Sequence, residues 1–274
     1  MMSAVKTAAK TFVIGDIHGR RAQLSALVER LPRDPAADTL VLLGDYIDRG
    51  EDAPGVVEDV LALQAEAGAE RVVALRGNHE QMLLDFVDKG DELWLHHAVG
   101  SEHTFAQYAG HEMDLMLLDD YDAARREVAA AVPATHFEFF RGLPLYHEDD
   151  YALYVHAGLE GGGGKHPRDT DARHLLWGRD NDFFRFYYGK PCVFGHTPTP
   201  FLPLFGRLGR HGIYIAHSAI GIDTGYVFSS PLSCLSLPDF TLYQAFADGR
   251  IATHRITKFI PEPLRAFRKE PATR

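Results

Sequence analysis

Eight polar residues of this 274-residue chain stand where apolar runs stop: Asp16, His18, Asp45, Asp48, Asn78, His79, His156 and His196. Each is flanked by glycine or another turn former, and together they offer hard oxygen and imidazole donors with no thiolate. That set suits two first-row divalent cations. Two such ions bring four positive charges and the carboxylates of Asp16 and Asp45 cancel two, which leaves net positive charge for a hydroxide and a phosphoryl group. Asn78 serves the same purpose, because an amide oxygen binds a metal without cancelling charge. A single histidine at a strand end more often packs or caps. The signal is carried by the ordered strings GDIHG (15–19), GDYIDRG (44–50) and GNHE (77–80), followed by two strand-ending histidines.

Those residues need strands to aim them. The run 39–43 is apolar and stops at GDYIDRG, so a buried strand brings two carboxylates and an arginine to its carboxyl end, where open α/β sheets bind ligands. Residues 11–14 enter GDIHG, after which Leu24, Leu27, Val28 and Leu31 recur at helical spacing until Pro32. Val56, Val57, Val60, Leu61 and Leu63 predict a helix ending near Gly68; residues 72–75 then enter RGNHE, and Met82, Leu83, Phe86 and Val87 predict another helix. Three such βα units predict one parallel sheet with its loops on one edge. The runs 151–155 and 192–194 deliver His156 and His196, and 213–216, 219–222, 232–237, 242–246 and 252–256 predict an antiparallel second sheet. Residues 88–142 combine helical spacing with dense charge, which predicts a helical insertion packing on the sheet or covering its loops. His96, His97, His103 and His111 lie in it without a partner carboxylate at ligand spacing and are expected at the surface.

The organisation expected is a tail over 1–10, one domain over 11–257, and a weakly basic, solvated tail over 258–274 that includes Arg265, Arg268, Lys269 and Arg274. A formal net charge of −10 argues against general affinity for nucleic acid polymers or acidic membrane surfaces. Cys192 and Cys234 lie in apolar runs outside any CxxC pair, as buried reduced thiols do. The apolar run after Lys6 and Lys10 is too short for a signal peptide or a membrane span, so a cytoplasmic protein is expected. The glycine run 161–164 followed by Lys165 fails the phosphate-loop pattern, because Leu159 and His166 occupy its defining positions.

GDIHG at 15–19, GDYIDRG at 44–50, LRGNHE at 75–80, HAGL at 156–159 and GHTP at 195–198 resemble the phosphoprotein phosphatase (PPP) family of metallophosphatases, over about residues 11–247. The nearer likeness is to its bacterial and phage branch, the lambda-phosphatase-like enzymes: HAGL stands where eukaryotic members carry HGGL, and IDTG at 222–225 is similar to a string of that branch. The eukaryotic tyrosine and cysteine signature is absent, so the resemblance implies neither toxin sensitivity nor subunit assembly. It does imply an α/β (α+β) fold, a metallophosphoesterase-type β-sandwich of two mixed sheets flanked by helices. It implies two divalent metal ions, manganese first, with iron, zinc, cobalt and nickel compatible with these donors. By resemblance, Asp16 and His18 hold one ion, Asp45 bridges, and Asn78, His156 and His196 hold the other. The LLWGR context of Arg179 resembles the branch's later phosphate-binding arginine.

Two cations about 3.5–4 Å apart acidify a shared water and hold phosphoryl oxygens for in-line displacement. His79 is then placed to protonate the leaving alkoxide, Asp48 to orient His79 and keep it cationic, and Arg49 and Arg76 to fork onto the non-bridging oxygens. Asp223 orients a ligand or shapes the turn before Gly225, and stays outside the ligand set. The expected activity is hydrolysis of phosphoserine and phosphothreonine, then phosphotyrosine, in a phosphoprotein or a phosphorylated small molecule. The alternative is hydrolysis of diadenosine polyphosphates, which a similar bacterial branch performs and which the intact GDIHG and GDxxDRG strings disfavour. A binding module that had lost catalysis would lack a ligand, Asp48 or His79, and none is missing. A nuclease would carry a basic and aromatic track, which the acidic chain lacks. Substrate choice is expected to lie in 88–142, 161–164 and 201–217, with Pro203, Arg207 and Arg210 at a rim.

Overall fold

The strand Thr11–Ile14 (β1) sends Phe12 and Ile14 into one apolar cluster and Val13 into another, as the period-2 alternation of a strand buried on both faces requires. The computed structural model describes residues 9–115, 118–209, 212–225, 229–256 and 261–265. After β1 come α1 (Arg21–Arg30), β2 (Thr39–Leu42), α2 (Ala53–Ala67), β3 (Val72–Ala74) and α3 (Asn78–Lys89). These are the three expected βα units, and β1, β2 and β3 pair in parallel. Asp52 caps α2 by accepting the Gly55 N–H at 2.8 Å, with Pro54 in the first turn where its missing N–H costs nothing.

The insertion follows as a 3-10 turn (Glu92–Leu95), α4 (Ser101–Ala109), α5 (Tyr121–Ala131) and α6 (Ala134–Gly142). Trp94, Phe105, Val128, Phe137 and Phe140 are buried in the cluster that also holds Leu24, Val57 and Leu83, so the insertion extends the helical layer over the first sheet. Each such side chain contributes about 1.5–3 kcal/mol by leaving water. His96, His97, His103 and His111 are exposed, as expected. Met116 and Leu117, which also belong to the expected apolar spacing, lie outside the described residues.

The rest of the chain comprises β4 (Tyr146–Glu148), β5 (Leu153–Val155), α7 (Ala172–Trp177), α8 (Asn181–Phe186), β6 (Cys192–Phe194), β7 (Tyr214–Ala216), β8 (Ala219–Gly221), β9 (Leu232–Leu237), β10 (Thr241–Ala245), β11 (Ile251–Arg255) and α9 (Glu262–Arg265). The six-stranded sheet has the order β11-β10-β9-β1-β2-β3, and the five-stranded sheet β4-β5-β6-β8-β7. Both are mixed, as the resemblance implied. The expectation of one separate antiparallel sheet from the C-terminal strands is corrected: β9 pairs antiparallel with β1 and extends the first sheet, whereas β8 pairs in parallel with β6 in the second. The edge strand β4, paired antiparallel with β5, had no expectation at all.

Val13, Val41, Leu235 and Leu237 from one sheet meet Tyr154, Val193 and Ile220 from the other in the core of the sandwich. A third cluster packs Phe183, Phe184 and Tyr187 onto Cys192 and Phe194 of β6, on the outer face of the second sheet. Cys192 and Cys234 are both buried and free. The solvated tail expected from residue 258 is corrected at Pro261 and Leu264, which are buried, the latter within the sandwich core. The tail residues Arg268, Lys269 and Arg274 and residues 1–8, with Lys6, lie outside the described residues. Among the described residues, no helix is long and apolar enough to cross a membrane.

Candidate metal centre and active site

Parallel pairing is what assembles the site. The strands β1, β2 and β3 run together in one sheet, and β5, β6 and β8 in the other. Their carboxyl ends therefore open on one edge of the sandwich and carry Asp16, Asp45, Asn78, His156, His196 and Asp223. Among the described residues, seven non-glycine residues have positive φ, and five of them are His18, Asp45, Asp48, Arg49 and His196. Backbone in this region is uncommon for residues with a Cβ and is concentrated at sites that the surroundings hold in place.

Asp45 lies at the centre. Its Oδ2 is 3.5 Å from His18 Nε2 and 3.8 Å from His79 Nε2, and its Oδ1 is 3.4 Å from His156 Nε2. Two groups of three share it, His18, Asp45 and His79, and Asp45, His156 and His196, with ligand atoms within 4.8 Å of one another in each. Asn78 Oδ1 joins the second group, 2.9 Å from His156 Nε2 and 2.7 Å from His196 Nδ1. Asp16 stands outside both groups, where its carboxylate accepts the His196 N–H at 2.9 Å. The close approach explains two glycines of the strings: a Cβ at Gly77 would collide with the carboxylate of Asp45, and one at Gly195 with that of Asp16.

The donor chemistry fits a pair of cations. His18 Nδ1 lies 2.9 Å from the Ile47 carbonyl and His156 Nδ1 2.9 Å from the Leu43 carbonyl. A carbonyl only accepts, so both Nδ1 atoms carry the hydrogen and both Nε2 lone pairs face the cluster. Burial, and then the neighbouring Arg49 and His79, hold His18 well below the ordinary histidine range; burial and His156 do the same to His196, and burial lowers His156 itself. Asp16 is pushed well up by burial and by Asp223 and Asp45. Neutral imidazole lone pairs, an amide oxygen and carboxylates that face one another in a buried space repel unless positive charge stands between them. Asp16, His18, Asp45, Asn78, His156 and His196 could hold that charge.

His79 is tied differently. Its Nδ1 is 2.7 Å from Asp48 Oδ2, and both residues are buried. Burial works against its cation, but Asp45 and Asp48 outweigh burial and Arg49, so its pKa is raised. The Arg49 guanidinium reaches both His18 Nε2, at 3.0 Å, and His79 Nε2, at 3.2 Å. Arg49 and Arg179 line one cavity of about 510 Å³, together with Asn181, His196, Thr197 and Phe201. Two arginines beside the donor cluster make this recess positive, as an anionic ligand requires.

Arg76 is a correction. Its Nη1 donates to Gln81 Oε1 at 2.9 Å and its Nη2 to the Arg141 carbonyl at 2.6 Å, so it braces α3 against α6 and is not a fork facing the cluster. The rim expected at Pro203 and Arg207 is likewise replaced by Pro198 and Phe201; Arg207 donates to the Leu202 carbonyl, and Arg210 lies outside the described residues. Asp223 shapes its turn by accepting the Gly225 N–H at 3.1 Å.

Sequence reasoning missed Glu80, the last residue of GNHE. It is fully buried, and its carboxylate accepts N–H groups of Asp45 at 3.0 Å, Tyr46 at 2.7 Å and Gly77 at 2.9 Å, which ties the second string to the third. Burial, then Asp45, raise its pKa to about 7. The signal that could have found it is the glutamate at the third helical position, half of a capping box. Arg20 was missed too; it donates to the carbonyls of Asp16 and Ile17.

The two-sheet sandwich thus brings nitrogen and oxygen donors together at one edge. Residues 9–200 match the calcineurin-like phosphoesterase family, and the chain belongs to it. One relative is serine/threonine-protein phosphatase 1 of Salmonella typhimurium (strain LT2), 44% identical over 85 residues, which are 31% of this chain and 36% of that protein. The chain thus spans about a third of the length of that relative. Another is the asymmetrical bis(5'-nucleosyl)-tetraphosphatase of Anoxybacillus flavithermus, 24% identical over 257 residues, 83% of this chain and 90% of that protein. A crystal structure provisionally named as a diadenosine tetraphosphatase superposes with a TM-score of 0.58 at 20% identity, covering 91% of this chain and 94% of that one, and supports the fold.

Proposed function

We propose that the chain is a dinuclear-metal-dependent phosphomonoesterase that hydrolyses phosphoserine and phosphothreonine, and phosphotyrosine to a lesser degree, in the cytoplasm. The observation that carries this reading is the buried Asp48–His79 pair, 2.7 Å apart, at the edge of the donor cluster. An alkoxide is a poor leaving group and needs a proton, whereas the phosphate group released from an anhydride leaves without one.

The residues to hold the ions are Asp16, His18, Asp45, Asn78, His156 and His196. When bound, two cations, manganese first, supply Lewis-acid stabilisation and acidify a water. Arg49 and Arg179 bind the non-bridging oxygens and orient the ester. Once Arg49 engages the phosphoryl group, His79 Nε2 is free to carry a proton to the leaving oxygen, and Asp48, fixed on Nδ1, holds the ring and its charge.

A second reading, hydrolysis of dinucleoside tetraphosphates, is favoured by the similarity along nearly the whole chain to a protein of that name. One experiment separates them: turnover of metal-loaded protein on a phosphoserine peptide, a phosphotyrosine peptide and diadenosine tetraphosphate, with Asp45→Asn as blank. Preferential release of phosphate from the peptides is expected. Preference for the dinucleotide would replace the first reading by the second.

A further inference from the structure

The turn that carries Asp48 and Arg49 is held from outside the sandwich. Both residues are left-handed, with φ of 69° and 67°. Two consecutive side-chain-bearing residues in that region persist only where neighbouring groups impose them. Here the insertion does so. Thr104 Oγ1 accepts the Asp48 N–H at 2.7 Å, and the Gly100 carbonyl accepts the Arg49 N–H at 3.1 Å. Gln107 donates to the Gly50 carbonyl at 2.8 Å and accepts the Ala53 N–H at 2.7 Å. The approach is close enough that a Cβ at Gly100 would stand 2.8 Å from Arg49 Cγ.

The fifth contact reaches the proposed proton donor's partner directly. Trp94 Nε1 donates to Asp48 Oδ2 at 3.2 Å, the same oxygen that His79 Nδ1 meets at 2.7 Å. Asp48 Oδ1 is buried without a partner, so two donors converge on one oxygen and none on the other. A carboxylate held by a single donor can rotate about its Cβ–Cγ bond. Two donors on one oxygen, together with a backbone clamp at its own N–H, fix both its position and its rotation.

We propose that Trp94 and Thr104 are positioning residues for the Asp48–His79 pair, so that the helical insertion is a brace which aims the proton donor. This rests on the phosphomonoesterase reading. Without the indole N–H or the threonine hydroxyl, the carboxylate turns or shifts, and His79 loses the geometry that brings its Nε2 to the leaving oxygen. The loss falls on substrates that need protonation.

The test uses the full chain loaded with manganese and two substrates, a phosphoserine peptide and 4-nitrophenyl phosphate, whose leaving group needs no proton. Trp94→Phe keeps an aromatic ring against Phe86, whose centroid is 5.5 Å from that of Trp94, and removes the N–H together with part of the buried ring volume. Thr104→Val keeps the shape and removes the acceptor, and Thr104→Ser keeps the acceptor. Both Trp94→Phe and Thr104→Val are expected to lower peptide turnover about tenfold or more, and aryl phosphate turnover less than about threefold, with Thr104→Ser close to the parent on both. Equal losses on the two substrates, or no loss, overturn the brace.

A second measurement does not depend on turnover. The chain has two tryptophans, Trp94 and Trp177, so a Trp177→Phe background leaves one indole proton signal. Asp48→Asn in that background should move the signal upfield, because a charged acceptor becomes neutral. An unmoved signal overturns the Trp94 contact. Absence of turnover by the parent on both substrates would sink the phosphomonoesterase reading instead, and the indole signal would then decide the contact alone.

Discussion

His79 gives one ring nitrogen to Asp48, over 2.7 Å, and presents the other to Arg49, over 3.2 Å. In the proposed mechanism a histidine tied in this way acts as proton donor once the guanidinium is drawn onto a phosphoryl group. His79→Asn should therefore leave metal content intact and lower turnover of a phosphoserine peptide by roughly 10²–10⁴-fold, with a much smaller effect on 4-nitrophenyl phosphate. Parallel steady-state kinetics on the two substrates check this, and equal losses would contradict the acid role.

Arg49 and Arg76 stand in two of the strings, yet only Arg49 faces the donor cluster. Arg49→Ala should cut kcat/KM by about 10–100-fold, as the loss of a charge-assisted contact to a developing anion does. Arg76→Ala should change kcat/KM less than about threefold and cost about 1 kcal/mol of stability through its lost hydrogen bonds. Kinetics and thermal denaturation of both variants distinguish the roles.

The depressed pKa values of His18, His156 and His196 fix what these three ligands add to the pH dependence of metal binding. Their folded-state values lie below the ordinary value of about 6.5, so the neutral, ligating forms already dominate there. The three histidines therefore add no pH dependence to Mn²⁺ affinity above about pH 6.5 and weaken it below, whereas Asp16, whose pKa is pushed well up, must release its proton before it ligates. The stability contributed by the three histidines is complete above about pH 6.5 and is lost as pH drops through the folded values, because the unfolded chain then binds more protons. Calorimetric titration with Mn²⁺ and melting of metal-free protein across this range test the sign.

Gly77 permits the approach of α3 to Asp45, where a Cβ would meet both the carboxylate and the backbone nitrogen. Gly77→Ala should weaken metal binding by roughly 10–100-fold, comparable to the loss of a supporting contact around a metal site. Gly142→Ala, with nothing within 4 Å of the added Cβ, is the control and should retain both metal and turnover. Metal content after dialysis reports the difference.

Much of the site was legible in the sequence because it is written in local terms. A buried strand of period two, a turn former and a polar residue just beyond it are neighbours along the chain, and Asp16, Asp45, Asn78, His156 and His196 each stand in that context. The helical nature of 88–142 and the exposure of its four histidines followed from spacing in the same way. What tertiary structure decided is pairing at a distance. Whether β9 joins β1 or a separate sheet depends on registers formed across more than 200 residues, which no window of the sequence encodes. The direction of Arg76 was set by a carbonyl 65 residues away, and the clamp on Asp48 by Trp94 and Thr104, 46 and 56 residues on. Residue type fixes what a side chain can donate or accept, but its partner is fixed only when burial brings distant groups within about 3 Å and excludes the water that would otherwise satisfy them.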